Sequence, residues 1–158
     1  MYHTHMNDEA QLSGGLYGPL IVLEPGMKFD PATDVIFLAS RGGLDGLKAP
    51  LLLNGSAEPA TLHWRKGQRY RVRLINITTS NGAGFSLFGL SGLRQWRAVA
   101  KDGADLPSSQ AVVKEARQST LPGETYDFEY QPEQAGVIKL EVASPRLHMK
   151  MVQTVEVE

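Results

Sequence analysis

The chain has 158 residues, 42% of them hydrophobic and 21% charged, with a formal net charge of −1 and no cysteine. This is the composition of an ordinary globular domain with its own core, and it lacks the basic excess that would hold nucleic acid or an anionic membrane surface. The absence of cysteine excludes disulfides, iron–sulfur clusters, thiolate zinc sites and a thiolate copper site, and leaves the compartment open.

The chain opens on Tyr2-His3-Thr4-His5. On an extended strand, residues two apart point the same way with Cα atoms ~7 Å apart. Both imidazoles therefore reach one metal ion, or two adjacent ions, one ring each. Two readings stand side by side: a metal-binding pair, since imidazole suits copper, zinc, iron and nickel, or a solvated pair. A stable site wants three or four ligands, and the sequence holds only two other histidines, His63 and His148. Asp8 and Glu9 follow in a stretch read as a loop.

Leu16–Leu23 is the first predicted strand. Its apolar run, Pro19-Leu20-Ile21-Val22-Leu23, is strand-sized and far short of the ~20 residues that span a membrane. No basic, apolar and small-residue leader precedes it. The prolines and glycine from Glu24-Pro25-Gly26 to Asp30-Pro31-Ala32-Thr33 mark a linker. The chain thus divides into a head over residues 1–24, a linker over 25–33 and a self-contained β domain over 34–158.

In that domain hydrophobicity alternates with a period near two, and turn residues interrupt it often; the chain has 16 glycines and nine prolines. This is the habit of an all-β sandwich or barrel. The predicted strands are Val35–Ala39, Leu51–Asn54, Thr61–Trp64, Arg69–Ile77, Gly84–Leu90, Trp96–Lys101, Gln118–Leu121, Thr125–Tyr130, Val137–Ala143 and Met149–Val157, with one short helix over Ser108–Glu115. In Arg69–Asn76, Tyr70, Val72 and Leu74 share one face and Arg69, Arg71 and Arg73 the other. That arginine row is either an anion-binding stripe or the solvated outside of a strand. Tyr126, Phe128 and Tyr130 point inward together. Leu62 and Trp64 also point inward, which turns His63 outward. His148-Met149-Lys150-Met151 combines imidazole with thioether sulfur, which favours Cu(I); Met149 and Met151 share a strand face, so core packing explains them equally well. Asn54-Gly55-Ser56 and Asn76-Ile77-Thr78 match the glycosylation acceptor pattern.

The opening motif followed by Gln11 and by Gly15-Leu16-Tyr17-Gly18-Pro19-Leu20-Ile21-Val22 resembles the multicopper oxidases, laccase-like enzymes built from cupredoxin domains. In that family the first domain ends in such a Tyr-His-Ser/Thr-His motif, a short loop and a Gly-Leu-Tyr-Gly strand. Leu53-Asn54-Gly55, Pro59, Lys66-Gly67-Gln68, Tyr70–Asn76, Ala100-Lys101-Asp102-Gly103 and Leu121-Pro122-Gly123-Glu124 follow in the order of the family's second domain. The resemblance covers nearly the whole chain, and its opening motif is the most specific part.

The resemblance implies a cupredoxin-like Greek-key β-sandwich over residues 34–158, preceded by the C-terminal remnant of a first cupredoxin domain. It implies copper as cofactor, with His3 and His5 as type-3 ligands, one to each copper of a three-copper cluster that reduces dioxygen to water. Asp8 would be a proton relay beside that cluster, or else a solvated loop residue. The family holds the cluster with four His-x-His pairs and takes electrons through a cysteine-ligated blue copper. With one pair and no cysteine, this chain is expected to be an internal piece of such an oxidase, with no catalytic residues of its own and no turnover alone. Its expected partners are the missing cupredoxin domains, a small-molecule or metal-ion electron donor, and dioxygen, in a periplasmic or extracellular parent enzyme. The alternative is a non-catalytic cupredoxin-like module that binds copper or serves a structural role.

Overall fold

The computed structural model describes residues 1–43, 50–79 and 82–158. In chain order the elements are β1 (Tyr2–His3), α1 (Asp8–Ser13), β2 (Tyr17–Gly18), β3 (Asp34–Arg41), β4 (Leu51–Leu53), β5 (Leu62–Trp64), β6 (Tyr70–Asn76), β7 (Ala83–Gly89) and β8 (Gly92–Leu93). There follow β9 (Gln95–Lys101), β10 (Ala104–Asp105), β11 (Val113–Glu115), β12 (Arg117–Thr120), β13 (Thr125–Tyr130), β14 (Gly136–Ser144), a 3-10 turn at Pro145–Leu147 and β15 (Met149–Val157).

Two sheets face each other. One runs β10-β9-β13-β6-β3-β4 with β11 on the edge of β9; the other runs β12-β7-β14-β15-β5 with β8 beside β7. Most neighbours are antiparallel, but β3 pairs parallel with β6 and β15 parallel with β5. Those two pairs need crossovers between the sheets, as in a Greek-key sandwich. The expected all-β sandwich is therefore what forms.

The period-two pattern explains the core. Tyr70, Val72 and Leu74 on β6 are 3%, 1% and 0% exposed, while Arg71 and Arg73 face the other way. Phe37, Phe85, Leu87, Trp96, Phe128, Leu140, Val142 and Val155 fill the space between the sheets. Trp96 stacks on Phe128 with ring centroids 4.1 Å apart, and Trp64 stacks on Tyr70 at 4.3 Å. Such pairs contribute about 1 kcal/mol each beyond the area they bury.

Three expectations need correction: the stretch beginning at Asp8, read as a loop, opens the short helix α1, and two others follow. Ser108–Glu115 is not a helix. The Pro107 carbonyl accepts the amides of Gln110 at 2.8 Å and Ala111 at 3.0 Å, which closes a single turn. Val113–Glu115 then joins β9 as an edge strand, because β-branched valines beside an open edge favour the ladder. Leu16–Leu23 is a strand only at Tyr17–Gly18, since its partner β1 is two residues long. Pro19 lacks the N–H needed to extend the ladder. Beyond it, residues 20–23 belong to no strand and have no backbone hydrogen bond among the described residues, and Leu20 and Val22 are 62% and 86% exposed.

The segment that follows is held by turns. Met27 N–H donates to Glu24 O at 3.0 Å around Gly26, and the Asp30 carboxylate accepts from Ala32 N–H and the Thr33 hydroxyl, each at 3.0 Å. Of the residues before β3, Met1, Leu12 and Tyr17 pack on the outside of the sandwich. Leu12 of α1 is 7% exposed against Leu38, Ile75 and Ile77, with Met1, Tyr17 and Ile36 around them. This second apolar cluster ties the opening segment to β3 and β6.

Both glycosylation acceptor asparagines are engaged in structure. Asn54, at φ 50°, donates to Ile36 O and accepts from Leu38 N–H, each at 2.8 Å. Asn76 is fully buried; its amide donates to Thr120 O at 3.1 Å and its carbonyl accepts from Thr78 N–H and the Thr78 hydroxyl.

Candidate metal centre

His3 and His5 sit at and just past the end of β1. The antiparallel register places His3 opposite Tyr17. Thr4 N–H donates to Leu16 O at 3.3 Å, and the Thr4 hydroxyl contacts Gln11 Oε1 across the α1 loop. Tyr17 in turn donates its hydroxyl to Ser40 Oγ on β3 at 2.7 Å. The pair is thus fastened to the sandwich through β2. The Tyr2 ring lies against Gly18, where an added Cβ would come within 2.5 Å of its hydroxyl oxygen, so a larger residue there would push the exposed ring aside.

The two imidazoles lie with centroids 4.5 Å apart, tilted by 42°. His3 is half-buried and His5 exposed. His3 Nδ1 sits 2.8 Å from Thr4 O. A carbonyl oxygen only accepts, so Nδ1 is the donor in this contact, and it is Nε2 that faces away from the backbone for a metal ion. A backbone carbonyl holding the far ring nitrogen is the arrangement that orients metal-ligating histidines and raises their basicity. Two imidazoles side by side, one oriented through its Nδ1, are donors of the kind that fit copper. Copper bound there would supply one-electron redox chemistry; the chain supplies the donors and their orientation.

The other residues weighed for a metal lie elsewhere. Asp8 is the first residue of α1 and is exposed. His148 is exposed at φ 51° in the turn between β14 and β15. Met149 is half-buried against the main core, and Met151 is 7% exposed within it. No hydrogen bond, ion pair or ring contact joins any of these to His3 or His5. Among the described residues, no group of three or more His, Cys, Asp or Glu side chains is set to hold a metal.

Some polar arrangements were not legible beforehand. His63 does point outward, and its Nδ1 lies 3.6 Å from Glu156 Oε2 and 3.8 Å from Glu158 Oε1. Only the long-range parallel register, His63 opposite Glu156, brings them together. The arginine row is neither solvated throughout nor an open anion stripe. Arg73 pairs with Asp34 and Asp127, and Arg71 pairs with Asp127 at 2.8 Å. A shallow groove runs between this charged face and Ile21, Leu23 and Met27. Lys101 lies 3.1 Å from Glu124 Oε1. That contact, with Tyr126 beside it, raises the ammonium pKa; the Leu121 amide, followed by Lys101, lowers that of the Glu124 carboxyl.

The two facing sheets, joined through the parallel pairs β3–β6 and β15–β5, form a Greek-key sandwich, and the comparisons with solved structures agree with that fold. Among solved structures, the chain superposes on a multicopper oxidase with TM-score 0.77 at 15% identity, covering 98% of this chain and 54% of that one. It also matches the blue copper oxidase from Nitrosomonas europaea (TM-score 0.74, 21% identity, 98% and 54% covered). A laccase-like multicopper oxidase from Ochrobactrum sp. gives TM-score 0.72 at 18% identity, with 99% and 39% covered. The chain therefore spans about half the length, or less, of the oxidases it matches. No protein-family model and no curated protein sequence matches it. At these identities the likeness establishes the fold alone, a cupredoxin-like β-sandwich.

Proposed function

We propose that the chain is part of a laccase-like multicopper oxidase, an enzyme that couples one-electron oxidation of phenols, amines or metal ions to reduction of dioxygen to water. Residues 34–158 are its spacer cupredoxin domain, residues 1–24 the end of the preceding one, and residues 25–33 the link between them. His3 and His5 ligate type-3 copper, and Asp8 is the nearest carboxylate in sequence for relaying a proton. By the same resemblance the parent enzyme works in the periplasm or outside the cell. The observation that carries this reading is the His3 ring, held at Nδ1 by Thr4 O with Nε2 free and the His5 ring 4.5 Å away.

On this reading the chain alone binds copper but does not turn over, because one imidazole pair is too few donors for an oxygen-reducing cluster and there is no cysteine for a blue copper. The test is to load the purified chain with copper and follow oxidation of a phenolic dye under air. Binding without turnover agrees with the proposal, and sustained turnover refutes it. The second reading, a non-catalytic copper-binding or structural module, draws on the absence of any larger ligand group among the described residues. It predicts that supplying the missing domains in trans restores no activity.

A further inference from the structure

We propose that Arg94 holds a small carboxylate anion at the end of the sandwich where β8 leads into β9. The site is separate from the histidine pair and does not depend on it.

Arg94 stands where the chain crosses between the sheets, after β8, which pairs with β7, and before β9, which belongs to the facing sheet. Its backbone is fixed there: Arg94 N–H donates to Leu87 O at 2.9 Å, and Arg94 O accepts from Ala116 N–H at 2.8 Å. Its guanidinium lies on Gly89 of β7, where an added Cβ would come within 2.2 Å of Nε and 2.4 Å of Cζ and Nη2. Glycine therefore leaves the guanidinium its seat. Across the sandwich is Tyr130 of β13. Burial pushes its hydroxyl pKa up, the Arg94 charge opposes that rise, and Glu133 adds to it. The hydroxyl thus stays protonated near neutrality and does not repel an anion.

No acceptor faces the guanidinium. Among the described residues Arg94 makes no ion pair and no side-chain hydrogen bond, and its Nε is buried without a partner. The terminal nitrogens, equally without partners, are open to solvent. A half-buried guanidinium has lost part of its water shell, and a carboxylate gripped through two N–H groups makes good that loss. Two neighbours add to the excess of donors. Trp96, 1% exposed, has its indole N–H buried with no acceptor. Lys114, opposite Trp96 in the ladder, donates to Gln118 Oε1 and has no carboxylate partner among the described residues; burial lowers its pKa. Glu133 is exposed and forms no ion pair with Arg94. The planar guanidinium fork matches the two oxygens of a carboxylate.

The probe is acetate, added to the full chain at constant ionic strength against chloride, with the Arg94 Nε–H and Trp96 Nε1–H signals followed by NMR. Both should shift and saturate together, as for one site. Arg94→Gln should weaken binding about tenfold or more while the backbone signals of β6 and β14 stay in place. Gly89→Ala keeps the charge but pushes the guanidinium off its seat, and should weaken binding as well. A shift that grows without saturating, or that persists unchanged in both variants, would overturn the site. Phosphate binding more tightly than acetate would overturn the carboxylate assignment. Acetate that binds only after Glu133→Gln would show that the chain's own acid occupies the place, and the proposal would fall.

Discussion

Arg73 of β6 reaches Asp34 of β3, with Nη2 2.6 Å from Oδ1. The same guanidinium holds Asp127 of β13 through its other terminal nitrogen. One side chain therefore staples three neighbouring strands across the outer face of the first sheet, where it is 12% exposed and the two carboxylates 18% and 13%. Arg73→Ala leaves two half-buried carboxylates, Asp34 with no partner, and should cost about 3 kcal/mol. Replacing all three charges with neutral groups of similar size should recover most of that loss. Urea unfolding of the two variants separates these outcomes; equal losses would show that the staple itself, and not the stranded carboxylates, carries the stabilisation.

Phe128 is fully buried between Trp96, stacked on its face, and Tyr126, at 6.4 Å between centroids. Phe128→Ala removes a large side chain from the centre of the sandwich and should cost about 4 kcal/mol. Trp96 fluorescence should shift in the same variant before unfolding begins, because its stacking partner is gone.

Asn54 does two jobs: it extends the β3–β4 pairing with its side-chain amide and tolerates φ 50° at the turn. Asn54→Ala loses both and should destabilise by about 2 kcal/mol. Asn54→Gly keeps the backbone conformation at no steric cost, so it should be the milder change of the two. Thermal melts rank them; Gly worse than Ala would contradict this account.

Glu124 should shape the acid limb of stability. Its carboxyl accepts from Leu121 N–H at 2.8 Å and faces Lys101, which holds its folded pKa below the unfolded value. The unfolded chain then binds more protons in acid. The stabilisation is present above the ordinary glutamate value of about 4.3 and is lost as pH falls through the lower folded value. Glu124→Gln should cost on the order of 0.5 kcal/mol near neutrality, a small figure because the contact is solvent-screened. It should match the parent protein at the acid end. Denaturant midpoints across that range give the difference directly.

Much of the sandwich was readable because period-two alternation encodes it. Thr125–Tyr130 and Met149–Val157 begin and end where the pattern says, and the Tyr70, Val72 and Leu74 face is the core face. The failures occur where local pattern and tertiary context compete. Ser108–Glu115 has too few residues for period to separate helix from strand, and an open sheet edge decided the matter. Leu16–Leu23 carries a strand's composition but finds only two residues to pair with. Of the candidate centre, the spacing of His3 and His5 was visible. The Thr4 carbonyl on Nδ1 was not, because it depends on the path of the backbone after the strand ends. The Arg73 staple and the carboxylates near His63 were hidden for the same reason, since their partners are dozens of residues away along the chain.

The chain of contacts from His3 through Tyr17 to Ser40, and from Leu12 to Ile75, has a thermodynamic corollary. On the proposed function, an ion held by the leading strand would report on the sandwich behind it. Heating should release metal and melt β3 and β6 in a single cooperative event, rather than letting the front segment peel away first.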